Sequence, residues 1–151
     1  MFVLFGLLAA APSAHALGIS VTGSAVLPNL KTGSSSTTPN LSVNLTGVVT
    51  PWSLTVTPNA TATPGHLRAT SGTCAGSATS LANPLRMSTS SLLPSTTIDR
   101  PTLDLGSGTT QVAHGAVADV LTVSYTQTVG VSELVAAGCA YSLGLTLTVS
   151  G

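Results

Sequence analysis

Apolar and hydroxyl-bearing residues alternate along much of the chain, most regularly near its end in YSLGLTLTVS. The residues on one face there are Leu143, Leu145, Leu147 and Val149, and those on the other are Ser142, Gly144, Thr146 and Thr148. A period of two is that of a β-strand with one buried face. The segment is therefore predicted to form a half-buried antiparallel strand.

Four other segments repeat this alternation. The residues predicted to point inward are Ile19 and Val21 in the first, Leu41, Val43 and Leu45 in the second, Trp52, Leu54 and Val56 in the third, and Leu121, Val123, Tyr125, Gln127 and Val129 in the fourth. A large ring on the inward face of a strand organises a small core made otherwise of aliphatic side chains. The only tryptophan of the chain is therefore predicted to be a core residue.

Segments rich in Gly, Pro, Ser and Asn separate these strands, and no convincing helical period occurs. The stretch VSELVAAG is predicted to form either one helical turn or an irregular approach to the last strand. Several short strands spaced by turn residues are typical of sandwiches. The fold class predicted for residues 17–151 is all-β, a single antiparallel β-sandwich domain.

The N-terminus resembles an export signal. An apolar run ends at Ala14-His15-Ala16, an A-x-A cleavage pattern, so residues 1–16 are predicted to be a signal peptide removed after Ala16. The run is too short to cross a bilayer of about 30 Å, and no later segment reaches the roughly 20 apolar residues of a membrane helix. We therefore expect a secreted, extracellular protein with no transmembrane segment.

Charged residues are rare. Four basic and four acidic side chains make up 5% of the chain and leave no net charge. Without a basic cluster, the electrostatic attraction that dominates nucleic-acid binding is missing, so no nucleic-acid partner is expected. Serine and threonine, roughly 30% of the residues, are left to solvate the surface. Such a surface is typical of extracellular and wall-associated proteins.

The chain has two cysteines, Cys74 and Cys139. In an oxidising compartment, a pair of cysteines favours a disulfide over a metal site or a nucleophile. Closing a loop of about 65 residues would contribute roughly 4 kcal/mol by restricting the unfolded chain. We predict a structural disulfide between them.

Candidate catalytic groups are few. Ser107, His114 and Asp119 are the members of a hydrolase triad that the sequence offers, but no G-x-S-x-G turn presents a nucleophile. The histidines are isolated, so neither a metal site nor a cofactor is expected, and the protein is predicted not to be an enzyme. Asp119 either points inward, where a charge guards a strand edge, or lies in a turn before a strand that begins at Val120. We expect the turn.

Two stretches resemble the WxL family of secreted surface proteins of Gram-positive bacteria. The first is Trp52-Ser53-Leu54 within PWSLTV, followed by continued strand alternation. The second is SYTQTVGVSELVAAGCAYSLGLTLTVSG, a strand, a spacer and a segment with Tyr141 that leads into a last strand. Where the family carries its second W-x-L, this chain has Leu145-Thr146-Leu147.

The resemblance implies a secreted, non-catalytic β-rich domain that binds the cell wall or another surface protein non-covalently. Trp52, Leu54 and Tyr141 are the candidate binding residues that it implies. An alternative function is that of a structural subunit of a fibre, pilus or surface layer that self-associates by strand addition. A neutral surface rich in hydroxyl groups does little to prevent such association.

Overall fold

The structure is a computed structural model that describes residues 17–23, 25–27, 30–47, 51–59, 62–72, 80–133, 135 and 139–151. Within these residues the chain forms twelve β-strands. They are β1 (Gly18–Thr22), β2 (Ser35–Thr37), β3 (Leu41–Thr46), β4 (Trp52–Pro58), β5 (Arg68–Gly72), β6 (Arg86–Ser90), β7 (Thr96–Ile98), β8 (Thr102–Asp104), β9 (Thr110–Gly115), β10 (Asp119–Thr128), β11 (Cys139–Ser142) and β12 (Leu145–Ser150).

The strands pair antiparallel in two main sheets and one short ladder. The first sheet has the order β1-β3-β10-β6-β8, and β2 pairs with β10 beside the end of β3. The second sheet has the order β12-β4-β9-β7, and the short ladder joins β5 to β11. The all-β, antiparallel prediction is confirmed. The pairing order joins strands that are far apart in the sequence.

The alternation read from the sequence sets the two faces of each long strand. Every second residue of β3, β4 and β10 is buried, and β12 alternates between half-buried and exposed positions. The two sheets contribute to one core of buried side chains, in which Val43 and Leu121 of the first sheet and Leu54 and Val112 of the second are fully buried. This shared core makes the fold a β-sandwich.

One inward prediction in β1 is wrong. Ile19 is half-buried and packs against the core, but Val21 is 48% exposed. Val21 lies opposite Val43 in the ladder and has the expected parity. Because β1 is an edge strand of the first sheet, this end of it extends beyond the cover of the second sheet.

Two further predictions concern the N-terminus and membrane-spanning segments. The predicted signal peptide, residues 1–16, lies outside the described residues. Among the described residues there is no helix of the length and hydrophobicity that crossing a membrane requires. In VSELVAAG, the described residues Val131 and Ser132 form a turn before β11.

Candidate functional site

The W-x-L residues of β4 lie in the core. Trp52 is 2% exposed and Leu54 is fully buried. The indole Nε1 of Trp52 donates a hydrogen bond to the backbone oxygen of Val117 at 2.7 Å. The ring also lies against Gly115, where a Cβ atom would be only 2.8 Å from the ring carbon Cζ2. The prediction that Trp52 points into the core is confirmed, and Trp52 also borders the cleft described below.

The opposite side of β4 and β12 is a surface of hydroxyl groups. We call it the hydroxyl platform, formed by Ser53, Thr55, Thr57, Thr146, Thr148 and Ser150. The two strands pair so that these residues lie in rows, Ser53 beside Ser150 and Thr55 beside Thr148. The Ser53 and Ser150 hydroxyls are 2.9 Å apart and hydrogen-bonded. The platform therefore presents many donors and acceptors and no charge.

A polar cluster formed by two residues of β9 and by Asp99, which follows β7, continues the platform. Gln111 Nε2 donates to Asp99 Oδ2 at 2.9 Å, and His114 Nδ1 lies 3.0 Å from the same oxygen. The hydrogen bond from His114, aided by the one from Gln111, lowers the pKa of Asp99 below its ordinary value although partial burial opposes it. We call these three residues the Asp99 cluster.

A β-bulge makes the Asp99 cluster possible. The pairing of β4 with β9 shifts so that Leu54 lies opposite Ala113 and Thr55 opposite Gln111. Val112 and Ala113 are both buried as a result. Residues three apart in a regular strand point to opposite faces, whereas the extra residue of a bulge lets them share one. The bulge therefore brings Gln111 and His114 together on the outer face.

The cluster and the platform meet in a shallow cleft of about 310 Å³. Its polar lining includes Ser53, Gln111, His114 and Ser150, and Ser53 is the direct ladder partner of His114. The His114 side chain is half exposed. The rest of its lining is less polar and includes Pro51, Trp52 and Gly115.

The triad considered from the sequence is not assembled. His114 binds Asp99, and Ser107 lies exposed in the loop before β9. Asp119 is the first residue of β10 and is 5% exposed, so the expectation that it lies in a turn is wrong. Its Oδ2 accepts hydrogen bonds of 2.6 Å from both Ser91 Oγ and Thr96 Oγ1. These hydroxyl donors stabilise a carboxylate inside the sandwich.

Tyr141 lines a second recess, an apolar cavity of about 690 Å³ that also takes in Tyr125. The two tyrosines of the chain therefore share one cavity. Tyr125 is 6% exposed, and burial raises the pKa of its hydroxyl above the ordinary tyrosine value. Leu143 and Leu145, on the half-buried face of the last strand segment, lie along the same wall.

The described residues include one of the two cysteines of the predicted disulfide. Cys139 is not a free thiol, while Cys74 lies outside the described residues. The ladder between β5 and β11 places Cys139 opposite Gly72, two residues before Cys74 in the chain. The Cys74–Cys139 pairing stays a prediction.

Metal ligands do not gather in the described part of the chain. No three His, Cys, Asp or Glu side chains there come close enough to hold one ion. His66, the other described histidine, bonds through Nδ1 to the backbone oxygen of Leu81 at 2.7 Å. That contact fastens the loop before β5 to the segment before β6.

Sequence reasoning missed Asp99, Gln111 and Tyr125 as site residues. The signal for the first two was the apolar pair Val112-Ala113 inside an otherwise alternating stretch, which is what a bulge leaves in a sequence. The partnership of Tyr125 with Tyr141 depends on the packing of two strands from different sheets, which no local pattern records.

No protein-family model, no curated protein and no solved structure matches this chain. The resemblance to WxL domains therefore stays a prediction, and function is inferred from the residues themselves.

Proposed function

We propose that the protein is an exported, non-catalytic β-sandwich of the cell surface that binds an envelope polymer rich in hydroxyl and amide groups. The binding surface is the hydroxyl platform with the Asp99 cluster. The observation that carries this proposal is an extended outer face built from hydroxyl groups, beside one cleft lined by an amide and an imidazole.

The spacing of the platform suits a polymer rich in hydroxyl and amide groups, such as peptidoglycan. Neighbouring strands lie about 4.8 Å apart, and residues on one face of a strand lie about 6.8 Å apart. Each serine or threonine hydroxyl both donates and accepts. A regular grid of such groups is able to bind successive units of a polymer that carries donors and acceptors at similar intervals.

Binding of this kind is weak at each contact. A hydrogen bond that replaces bonds to water contributes only about 0.5–1.5 kcal/mol. The described outer face of β4 and β12 has no aromatic ring on which a sugar could stack, because Trp52 points inward. Useful affinity therefore requires many contacts along one polymer or many protein copies on one wall.

The resemblance to WxL domains supports the same function. Trp52 and Leu54 are buried on the inner face of β4, the strand whose outer face carries Ser53 and Thr55. The motif would then contribute by holding β4 flat and fixed, and its exposed neighbours would contact the wall.

Co-sedimentation with purified bacterial sacculi tests the proposal. The exported, oxidised protein is spun with sacculi and, in parallel, alone at the same speed. We expect pelleting only with sacculi, and we expect the double variant Gln111→Ala/His114→Ala to reduce the bound fraction several-fold. Wild-type protein that stays in the supernatant with sacculi would refute wall binding.

The control is a matched pair of changes on the other sheet. Ser88 and Ser124 lie opposite each other on the outer face of the first sheet. Ser88→Ala/Ser124→Ala removes two polar groups without touching the second sheet, so it should leave the bound fraction unchanged. An equal loss in both double variants would mean that binding does not depend on the second sheet.

A second candidate function is that of a structural subunit, and the edge strand β12 favours it. Within the described part of the chain, its six residues pair with β4 on one side only. The strand contains no charged residue and no proline, the features that usually protect an exposed edge. Such an edge is suited to accept a strand from another copy.

Edge pairing is tested with charges placed on neighbouring strands. Thr148→Lys puts a charge on the edge strand β12, and Thr55→Lys puts one on its central partner β4. If copies assemble through β12, concentrated wild-type protein forms polymers by light scattering and Thr148→Lys reduces them more than Thr55→Lys does. A monomeric wild-type protein at high concentration would exclude this function.

A further inference from the structure

The end of the sandwich at which β10 begins carries exposed apolar side chains on two neighbouring connections. In the loop from β6 to β7, Leu92 is 96% exposed and Leu93 is 39% exposed. Val117, in the turn from β9 to β10, and Val120, at the start of β10, are about half exposed. We call these four residues the apolar tip. Exposed apolar groups that gather in one place mark a surface where a protein meets an apolar partner.

Strand pairing brings the two connections together. Thr96, the residue after the first loop, lies opposite Gly115, the residue before the turn. In the first sheet, the last residue of β6 lies opposite Thr122, so the residues that follow it run toward Val120. The apolar tip is therefore one patch at one end of the domain.

Two buried groups hold the apolar tip in place. The carboxylate of Asp119 accepts hydrogen bonds of 2.6 Å from Ser91 and Thr96, which flank the leucines of the first loop. The indole of Trp52 donates to the backbone oxygen of Val117 in the turn. Since both connections are already fixed to the sandwich, little conformational entropy is lost when the tip binds a partner.

The apolar tip has no charge of its own. Residues 91–95 and 115–118 contain no charged side chain, and Asp119 is buried. The next charged residues after the first loop, Asp99 and Arg100, follow β7 at the end of that strand away from the tip. Apolar side chains without a nearby charge bind hydrocarbon without the cost of desolvating an ion. The partner is therefore apolar where it contacts the tip.

The chain enters the sandwich at this same end. Gly18, the first residue of β1, lies opposite Thr46 of β3, and the neighbouring Leu45 lies opposite Asp119. The apolar run within residues 1–16 therefore joins the domain beside the apolar tip. During export the predicted signal peptide holds this end of the domain next to the bilayer.

We infer that the apolar tip docks the exported protein on the outer surface of a lipid bilayer, with Leu92 and Leu93 inserted among the acyl chains. A bilayer accepts projecting side chains in any arrangement, whereas a protein partner needs a pocket that matches them. Each leucine that leaves water for hydrocarbon strengthens partitioning about tenfold or more. The hydroxyl platform lies on the outer face of β4 and β12, so the bilayer and the wall are bound by different surfaces.

Flotation with vesicles of phosphatidylcholine, which carry no net charge, tests the inference. We expect the exported, oxidised protein to float with the vesicles in high salt as in low salt, because no ion pair is involved. Leu92→Ser/Leu93→Ser should lower the partition coefficient at least tenfold. Both leucines are exposed, so circular dichroism should show an intact fold. Pelleting of this variant with sacculi should be unchanged, which separates bilayer docking from wall binding.

Val26→Ser/Val131→Ser is the matched control. These valines are 68% and 87% exposed, and Val131 follows the opposite end of β10 from the apolar tip. We expect the control variant to float like the wild type. Wild-type protein that does not float would overturn the inference, as would equal losses in the two double variants. Wild-type copies that associate through Leu92 and Leu93 without floating would assign the tip to a second copy of the chain and would also overturn it.

Discussion

The indole nitrogen of Trp52, a residue that is 2% exposed, donates a hydrogen bond to the backbone oxygen of Val117, 2.7 Å away. Val117 lies in the turn that joins β9 to β10. One side chain of the second sheet thereby fixes the connection between the two sheets. Trp52 fills the core and also positions the start of β10.

Substitutions at Trp52 should separate these two contributions. Trp52→Ala removes the ring and should lower the free energy of unfolding by about 3–5 kcal/mol. Trp52→Phe keeps much of the packing but loses the bond to Val117, so we expect a loss of about 1–2 kcal/mol. Urea denaturation followed by circular dichroism measures both. Equal free energies of unfolding for the two variants would show that the packing of the ring does not contribute to stability.

Gly65 should tolerate no side chain. Its φ is +78°, and a Cβ there would overlap the backbone oxygen of Leu105. Gly65→Ala should therefore destabilise the protein by several kcal/mol, about 3 or more. Gly106→Ala is the control, because nothing lies within 4 Å of its Cβ position. Melting temperatures of the two variants check this, and a Gly65→Ala protein as stable as Gly106→Ala would contradict it.

Asp119 should be far more sensitive than an exposed aspartate. Asp119→Ala leaves the buried hydroxyl of Thr96 and the N–H of Val120 without their acceptor, and we expect a loss of about 2–4 kcal/mol. Asp104 pairs with Arg86 on the surface, with both side chains more than half exposed. Asp104→Ala should cost less than about 1 kcal/mol. Chemical denaturation of both variants compares them, and a smaller loss for Asp119→Ala would be the contrary result.

The Asp99 cluster should make stability depend on pH. The hydrogen bonds from His114 and Gln111 lower the pKa of Asp99 in the folded protein. A lowered folded pKa gives stabilisation that is complete above the ordinary Asp value near 4 and is lost as the pH falls through the folded value.

Asp99→Asn is the variant that checks this dependence. Because about a quarter of the Asp99 side chain is exposed, the wild type should exceed Asp99→Asn by less than about 1 kcal/mol at neutral pH. The difference should shrink to nothing in strong acid. Urea midpoints of the two proteins from pH 4 downward provide the measurement, and a difference that grows as the pH falls below 4 would refute the assignment.

The predicted Cys74–Cys139 disulfide should contribute to stability. Reduction, or the double variant Cys74→Ala/Cys139→Ala, should lower the free energy of unfolding by roughly 4 kcal/mol. Peptide mapping of the exported, unreduced protein should yield one linked peptide that contains both residues. Two titratable thiols in that material would exclude the bond.

The sequence predicts the faces of the strands well and the site poorly, for a physical reason. Burial of alternate residues is a local property, so alternation predicts the correct faces for Leu41 to Leu45 and for Trp52 to Val56. The prediction for Asp119 is wrong because aspartate disfavours strands, whereas hydrogen bonds from Ser91, Thr96 and the N–H of Val120 satisfy its buried oxygens.

The Asp99 cluster shows the other source of error. Asp99 and His114 are 15 residues apart and meet through the pairing of β7 with β9. The bulge after Leu54 then turns Gln111 to the same face. Register and bulges are set by contacts between strands, which the periodicity of one strand does not contain.

The pairing order also sets the pace of folding. β3 pairs with β10, β4 with β12 and β5 with β11, so each of these ladders closes a long loop of chain. The chain must lose the entropy of loop closure before these contacts can stabilise it. Domains built from such distant pairings fold in milliseconds to seconds. Since β4 lacks one of its two neighbours until residues 145–150 have been synthesised, we expect the second sheet to be completed only after the last strand emerges. During that interval one edge of β4 is unpaired and open to strands of other chains, so folding yield will depend on how dilute or protected the nascent protein is.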